Sequence, residues 1–379
     1  MIHRRQHAFL LALLALLLAW SGCARNYRLD ETPRGAVAAR DVFRLMWQRR
    51  LVKREFLDFR PQEWASAVFD GDRVYVGSSA GRFLAFDTVS GRRLWTFRAQ
   101  SSIASRPTLE DGRLYFGADD GKLYAIDAKT GKLLWSYTTQ GTINMAPVLA
   151  EGFLLFTSSE GRIYALDADS GKWRWQYDRE APEGFTIHGY AGVAVKGSTA
   201  FTGFADGTLV ALRVYSGDVV WTRSLTRGKA GFVDVDATPV VYGDMLLTTS
   251  YAGGVFAVST ENGSIQWQYP VEAASALTIH RRQIYFTAPE VGVVALDMRG
   301  RLLWRQAIPK GVPSLPVATG PYLFVTGTES GLFAVSAKSG RLLQYFDPGH
   351  GISAPPSVGK GFLATLTNQG RLYLFKVAL

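Results

Sequence analysis

The side chains able to do chemistry are few and scattered. Past the N-terminal apolar stretch the histidines are His188, His280 and His350, far apart in the chain. A zinc centre or a hydrolytic site needs imidazole, thiolate or carboxylate groups brought together, and no local cluster of them is present. Cys23 is the only cysteine, so no disulfide can form within one chain. The carboxylates show more order. Asp87, Asp127, Asp167 and Asp297 recur at one position of a repeated motif, close before a glycine. That recurrence points to turn capping rather than to a shared metal. Outside the motif stand Asp234 and Asp236, in the run Asp234-Val235-Asp236-Ala237-Thr238-Pro239-Val240-Val241.

The elements that position these residues are read from the repeat Ala-x-Asp-x-x-x-Gly-x-x-x-Trp. It begins as Ala85, Asp87, Gly91, Trp95 and recurs through Trp135, Trp175, Trp221, Trp267 and Trp304. Arg213 and Ser259 take the Asp place in two copies, and the copy at Ala334 and Gly340 has Gln344 where Trp is expected. The Trp-to-Trp steps are 40, 40, 46, 46 and 37 residues. Within Asp111–Tyr137, three apolar-alternating runs (113–117, 122–126 and 133–137) are separated by Asp119-Asp120-Gly121 and Lys129-Thr130-Gly131. Both separators are turn chemistry. About 40 residues and four strands per unit predict a β-propeller.

Residues 41–379 hold eight such units of about 42 residues each. The last has only three strands, expected over 352–357, 361–365 and 372–375. Phe43–Arg49 resembles an outer strand with nothing before it, so it is expected to complete the eighth blade and close the ring. The fold expected is all-β: eight four-stranded antiparallel blades. The first strand of each blade is small and often carries proline (Pro107, Pro147, Pro239, Pro316, Pro355), as an edge strand tolerates. The motif tryptophans and glycines fit blade-to-blade packing.

Ala8–Trp20 is an unbroken apolar run behind Arg4 and Arg5. It is short for a bilayer span and suits a secretory leader. Ser21-Gly22-Cys23 resembles a lipobox, which implies a leader over 1–22, lipidation at Cys23, and a polar tether over 23–40. The net charge is +10, with local pairs at Arg49-Arg50, Lys53-Arg54 and Arg281-Arg282 that read as solvated surface. No basic stripe is interleaved with stacking aromatics, so nucleic acid is not an expected partner. The balance fits attraction to anionic lipid or an acidic partner.

The two steps of 46 residues lengthen equivalent connections, 178–190 and 222–236, from one blade's outer strand to the next blade's inner strand. In a propeller such connections share a face, and these two belong to adjacent blades. Long loops on a rigid scaffold are where binding usually resides. The first carries Phe185, Ile187 and His188; the second carries Arg223, Arg227, Lys229 and Phe232 ahead of Asp234 and Asp236. Apolar anchors rimmed by charge are what a protein interface needs.

The lipobox, the eight repeats and the Asp-Val-Asp-x-Thr-Pro-Val-Val run resemble BamB-type lipoproteins of the bacterial β-barrel assembly machinery. The resemblance covers essentially the whole chain after the leader. It implies a non-enzymatic scaffold on the periplasmic face of the outer membrane. Its partners would be the periplasmic domains of the central barrel protein and nascent outer-membrane proteins. It further implies that Asp234, Asp236 and a segment falling on Phe185–Gly189 form the docking surface. His188 stands where that family's segment has arginine, which loses a permanent charge and a bidentate fork. The repeats are shared with quinone-dependent dehydrogenases, which hold pyrroloquinoline quinone and Ca²⁺ over the axis. Such enzymes need clustered carboxylates and amides, long inserted loops and an adjacent cysteine pair. No catalytic, cofactor-binding or metal-ligating residue is assigned here.

Overall fold

The computed structural model describes residues 41–53, 62–179, 191–226 and 234–378. Their strands form eight four-stranded antiparallel sheets, with no helix among the described residues. Blade 2 shows the pattern. Thr108–Glu110 is innermost, followed outward by Arg113–Gly117, Lys122–Asp127 and Leu133–Thr138. Asp111 and Gly112 join the first two strands with φ of 48° and 71°, the geometry of a type I′ turn. The next turn but one is capped by Asp127. Its Oδ1 accepts from the Thr130 amide at 2.7 Å and the Thr130 hydroxyl at 2.6 Å. Such bonds hold the carboxyls of Asp87, Asp127 and Asp167 below the ordinary carboxylate range, the donors being Ser90, Thr130 and Arg174 in turn. At Asp297 burial pushes upward and is outweighed by bonds from Arg301 and Arg299.

Each motif tryptophan crosses to the next blade. The rings of Trp95, Trp135 and Trp175 lie on Gly131, Gly171 and Gly217, where a Cβ would fall 2.6 Å from the indole. Each Nε1 donates into the same turn, to the carbonyls of Ala128, Ala168 and Val214 at 3.1, 3.1 and 2.8 Å. Within its own sheet each ring is paired with the motif alanine: Ala85 with Trp95, Ala125 with Trp135, Ala165 with Trp175. The alanine leaves room for the ring. The apolar cores lie at these seams; Tyr75, Phe83 and Ala85 of blade 1 pack on Leu114, Phe116 and Ile126 of blade 2.

The ring is closed. Phe43–Arg50 pairs antiparallel with Arg371–Val377 and completes blade 8. The inner strand of blade 1, Val68–Asp70, touches both Thr108–Glu110 of blade 2 and Ser357–Gly359 of blade 8. Trp47 supplies the eighth blade's tryptophan, lying on Gly91 and donating to the Thr88 carbonyl at 2.9 Å. Gln344 is explained by the same closure. The outer strand of blade 8 comes from the other end of the sequence, so that blade has no turn glycine to receive a ring. Gln344 clamps the incoming backbone instead. Its Oε1 accepts from the amides of Val42 and Phe43 at 2.8 and 2.9 Å, and its Nε2 donates to the Phe43 carbonyl at 3.0 Å.

The inner strands are shorter than expected. Ser357–Gly359 forms in place of 352–357, and Pro107, Pro147, Pro239 and Pro316 each precede their strand rather than sit in it. Proline has no amide to give, so the ladder starts after it.

Candidate partner-binding face

The up-and-down order puts two kinds of turn, inner-to-second and third-to-outer, on one face of the disc, the hairpin face. The second-to-third turns and the blade-to-blade connections share the other, the connection face. Phe185, Ile187 and His188 lie outside the described residues, as do 227–233 of the second long connection. The flanks of both connections are described, and they meet at one turn of blade 4, Phe204–Gly207. Arg179, which leads into the first, has Nε 2.5 Å from Asp206 Oδ2 and donates through Nη2 to Thr208 Oγ1 at 3.0 Å. Leu225, where the second departs, donates its amide to Gly207 O at 2.9 Å. Val235, where the second returns, donates to Phe204 O at 3.1 Å. The described flanks of the two oversized connections are therefore neighbours on one face.

The returning run separates its two aspartates. Val235 is fully buried and fills the space left by Gly203, as Ile103 does on Gly77 and Ile143 on Gly117. The Asp234 carbonyl accepts from the Tyr251 amide at 3.0 Å, the bond that Ser102 and Thr142 make at the equivalent places in blades 2 and 3. Asp234 is 1 % exposed, whereas Asp236 reaches solvent in part. Burial, and then the Asp234 charge, raise the Asp236 carboxyl above its ordinary range. Reading the two residues as one pair hides this difference. Setting Asp234-Val235-Asp236 against Ser102-Ile103-Ala104 of blade 2 would have exposed it, because Val235 then falls on the plug position.

Sequence reasoning also missed the axial ring. Ser66 Oγ donates to Pro355 O at 3.1 Å, and the Gly192 amide donates to Thr238 Oγ1 at 3.1 Å, each pair joining equivalent positions of neighbouring blades. Arg106 holds that position in blade 2, between buried Ser105 and Pro107. The residue as a whole is exposed, yet burial of its charge among the surrounding walls pulls the guanidinium below its ordinary range. Among the eight equivalent positions Arg106 is the one charged residue. No group of three His, Cys, Asp or Glu among the described residues is placed to hold a metal ion.

The family profile described as "Outer membrane protein assembly factor BamB" matches residues 34–140, 108–299 and 290–377. The chain belongs to the BamB family. The curated BamB of Legionella pneumophila (strain Paris) is 27% identical over 206 residues, covering 50% of this chain and 54% of that protein. The BamB of Kangiella koreensis is 31% identical over 135 residues, 34% of each chain. The chain thus spans about half, or less, of the length of these curated relatives. The crystal structure of BamB from Moraxella catarrhalis is similar with a TM-score of 0.75 at 23% identity, over 88% of this chain and 100% of that one. Quinohemoprotein alcohol dehydrogenase from Comamonas testosteroni has a TM-score of 0.69 at 17% identity, over 92% and 78%. These two likenesses show the fold alone, and one propeller serves both an assembly factor and an oxidoreductase.

Proposed function

We propose that this chain is a non-enzymatic scaffold lipoprotein of the outer-membrane β-barrel assembly machinery. It binds the periplasmic domains of the central barrel protein through the connection face of blades 4 and 5. BamB-family membership supports an outer-membrane assembly role in general. The observation that carries the site is the meeting of the described flanks of both long connections at Phe204–Gly207. In this reading Phe185 and Ile187 are the apolar anchors and His188 a polar rim contact. Asp236 presents the carboxylate, and Asp234 supports the backbone that carries it. Residues 1–22 are the leader, acylated Cys23 with 24–40 is the tether, and 41–379 form the propeller on the periplasmic face of the outer membrane. Nascent outer-membrane strands are a second client, met through free blade edges by β-augmentation.

Affinity capture of the full chain from detergent-solubilised envelopes tests this. The barrel protein should co-purify with the parent and be lost with Phe185→Ala plus Asp236→Ala while the fold is kept. Equal recovery from the variant would count against the site. A cofactor-binding reading draws on the dehydrogenase-like fold and on Arg106 at the axis. Pyrroloquinoline quinone with Ca²⁺ should leave the Tm unmoved if the chain is a scaffold; a clear rise would favour the cofactor reading.

A further inference from the structure

We propose that the hairpin face of blades 6 and 7 is a docking surface for an anionic phospholipid bilayer. All eight blades join their inner and second strands with a two-residue loop. Seven of these loops contain a glycine at positive φ, such as Gly112, Gly243 and Gly361. Blade 6 has Arg281 and Arg282 instead, at φ of 50° and 61°. Asp111, Glu151 and Lys360 are also left-handed in their turns, but each is followed by glycine; blade 6 alone holds side chains at both places, with Arg282 where those three have glycine. Strain kept at an exposed turn is a pointer to function rather than to packing.

The two arginines do not stand alone. Burial raises the Tyr285 phenol and the Arg281 charge beside it opposes the rise. The Tyr285 hydroxyl donates to the Ala337 carbonyl at 3.1 Å, next to Lys338 of blade 7. Arg281, Arg282 and Lys338 therefore flank one seam. Arg299 and Arg341 lie in the third-to-outer turns of the same two blades. All five are exposed, and none is ion-paired among the described residues. Asp297 of blade 6 lies on this face too and is taken up by Arg301, whereas Asp70, Asp72 and Asp111 share a cleft of about 600 Å³ at blades 1 and 2 with Arg73, Arg113 and Lys129.

The route of the chain selects a bilayer as the occupant. The described chain enters the fold on this same face, at Asp41–Phe43 beside blade 7, where the Val42 amide is bonded to Gln344. A membrane anchor N-terminal of Asp41 would draw the hairpin face toward lipid and leave the connection face free. Lys and Arg near an anionic leaflet are attracted within a Debye length of its surface. The choice of a bilayer as the occupant rests on the proposed lipid anchor; the charged patch itself does not.

The test uses the mature chain, secreted behind a cleavable leader with Cys23→Ser so that no acyl chain contributes. It should co-sediment with phosphatidylcholine vesicles containing about one-third phosphatidylglycerol, and not with phosphatidylcholine alone or in high salt. Arg281→Gln with Arg282→Gln and Lys338→Gln should weaken vesicle binding at least about tenfold. An equal charge loss on the connection face, Arg98→Gln with Lys122→Gln and Lys310→Gln, should leave it within about twofold. Equal losses from both triples, or no preference for the anionic vesicles, would overturn the proposal. So would capture of an acidic protein by the patch without vesicle binding. Co-purification of the barrel protein should survive the first triple, so this proposal and the partner-binding reading fail separately.

Discussion

Asp236 carries a charge that folding disfavours. Its carboxyl is raised by burial and by Asp234, so the folded chain holds that proton more tightly than the unfolded chain does. The group therefore favours folding below the ordinary carboxylate range and loses that contribution as pH rises through its folded value. Asp236→Asn should raise the Tm at neutral pH and change it little in acid; a lower Tm at neutral pH would contradict this. A perturbed acid on the proposed partner-binding face fits a role in meeting a partner. Arg282 poses the same question at the other face. Arg282→Gly would convert the strained loop to the form of Asp111-Gly112, and the expected gain is about 1 kcal/mol in denaturant unfolding. The run containing Asp234 and Asp236 stood out in the sequence as a candidate site. The opposite burial of its two aspartates was not, because only the plug at Val235 decides which carboxylate faces inward.

The blade seam is the unit of stability at the next scale. Trp175 is 7% exposed, donates to Val214 and covers Gly217. Trp175→Ala is expected to cost about 3–5 kcal/mol, measured by chemical denaturation. Gly217 has φ of 77° beneath that ring, so even Gly217→Ala should destabilise, by about 2 kcal/mol. The Ala-Asp-Gly-Trp spacing made six seams legible because its four residues act differently, and the likeness of Phe43–Arg49 to an outer strand supplied a seventh. The alanine leaves room for the ring, the aspartate caps the turn, the glycine receives the neighbouring ring, and the tryptophan covers the next blade. The eighth seam showed only as a missing tryptophan. That Gln344 binds the entering backbone could not be read, since the partners are amides some 300 residues earlier. Gln344→Ala leaves the Val42 and Phe43 amides without that acceptor in a buried seam, and about 2–3 kcal/mol should be lost. Amide exchange over Phe43–Arg50 should quicken more than elsewhere; uniform exchange would contradict a clamping role.

Over the whole molecule, closure by Phe43–Arg50 makes a rigid disc with two unlike faces. One face gathers the described flanks of the two long connections at Phe204–Gly207; the other receives the chain's N-terminal side and the arginines of blades 6 and 7. The number of blades and their closure were legible because turn chemistry and tryptophan spacing repeat. That the long connections share a face was legible too; that the entering chain and the Arg281-Arg282 turn lie on the opposite face was not, because it depends on which end of each strand a turn occupies. The most direct measurement is photocrosslinking in intact envelopes, with a crosslinking residue placed in turn at 187, 236 and 282. Crosslinks to the barrel protein's periplasmic domains are expected from 187 and 236 and not from 282. Crosslinks to that protein from 282 alone, or from none of the three, would contradict the assignment of the connection face as the partner-binding side.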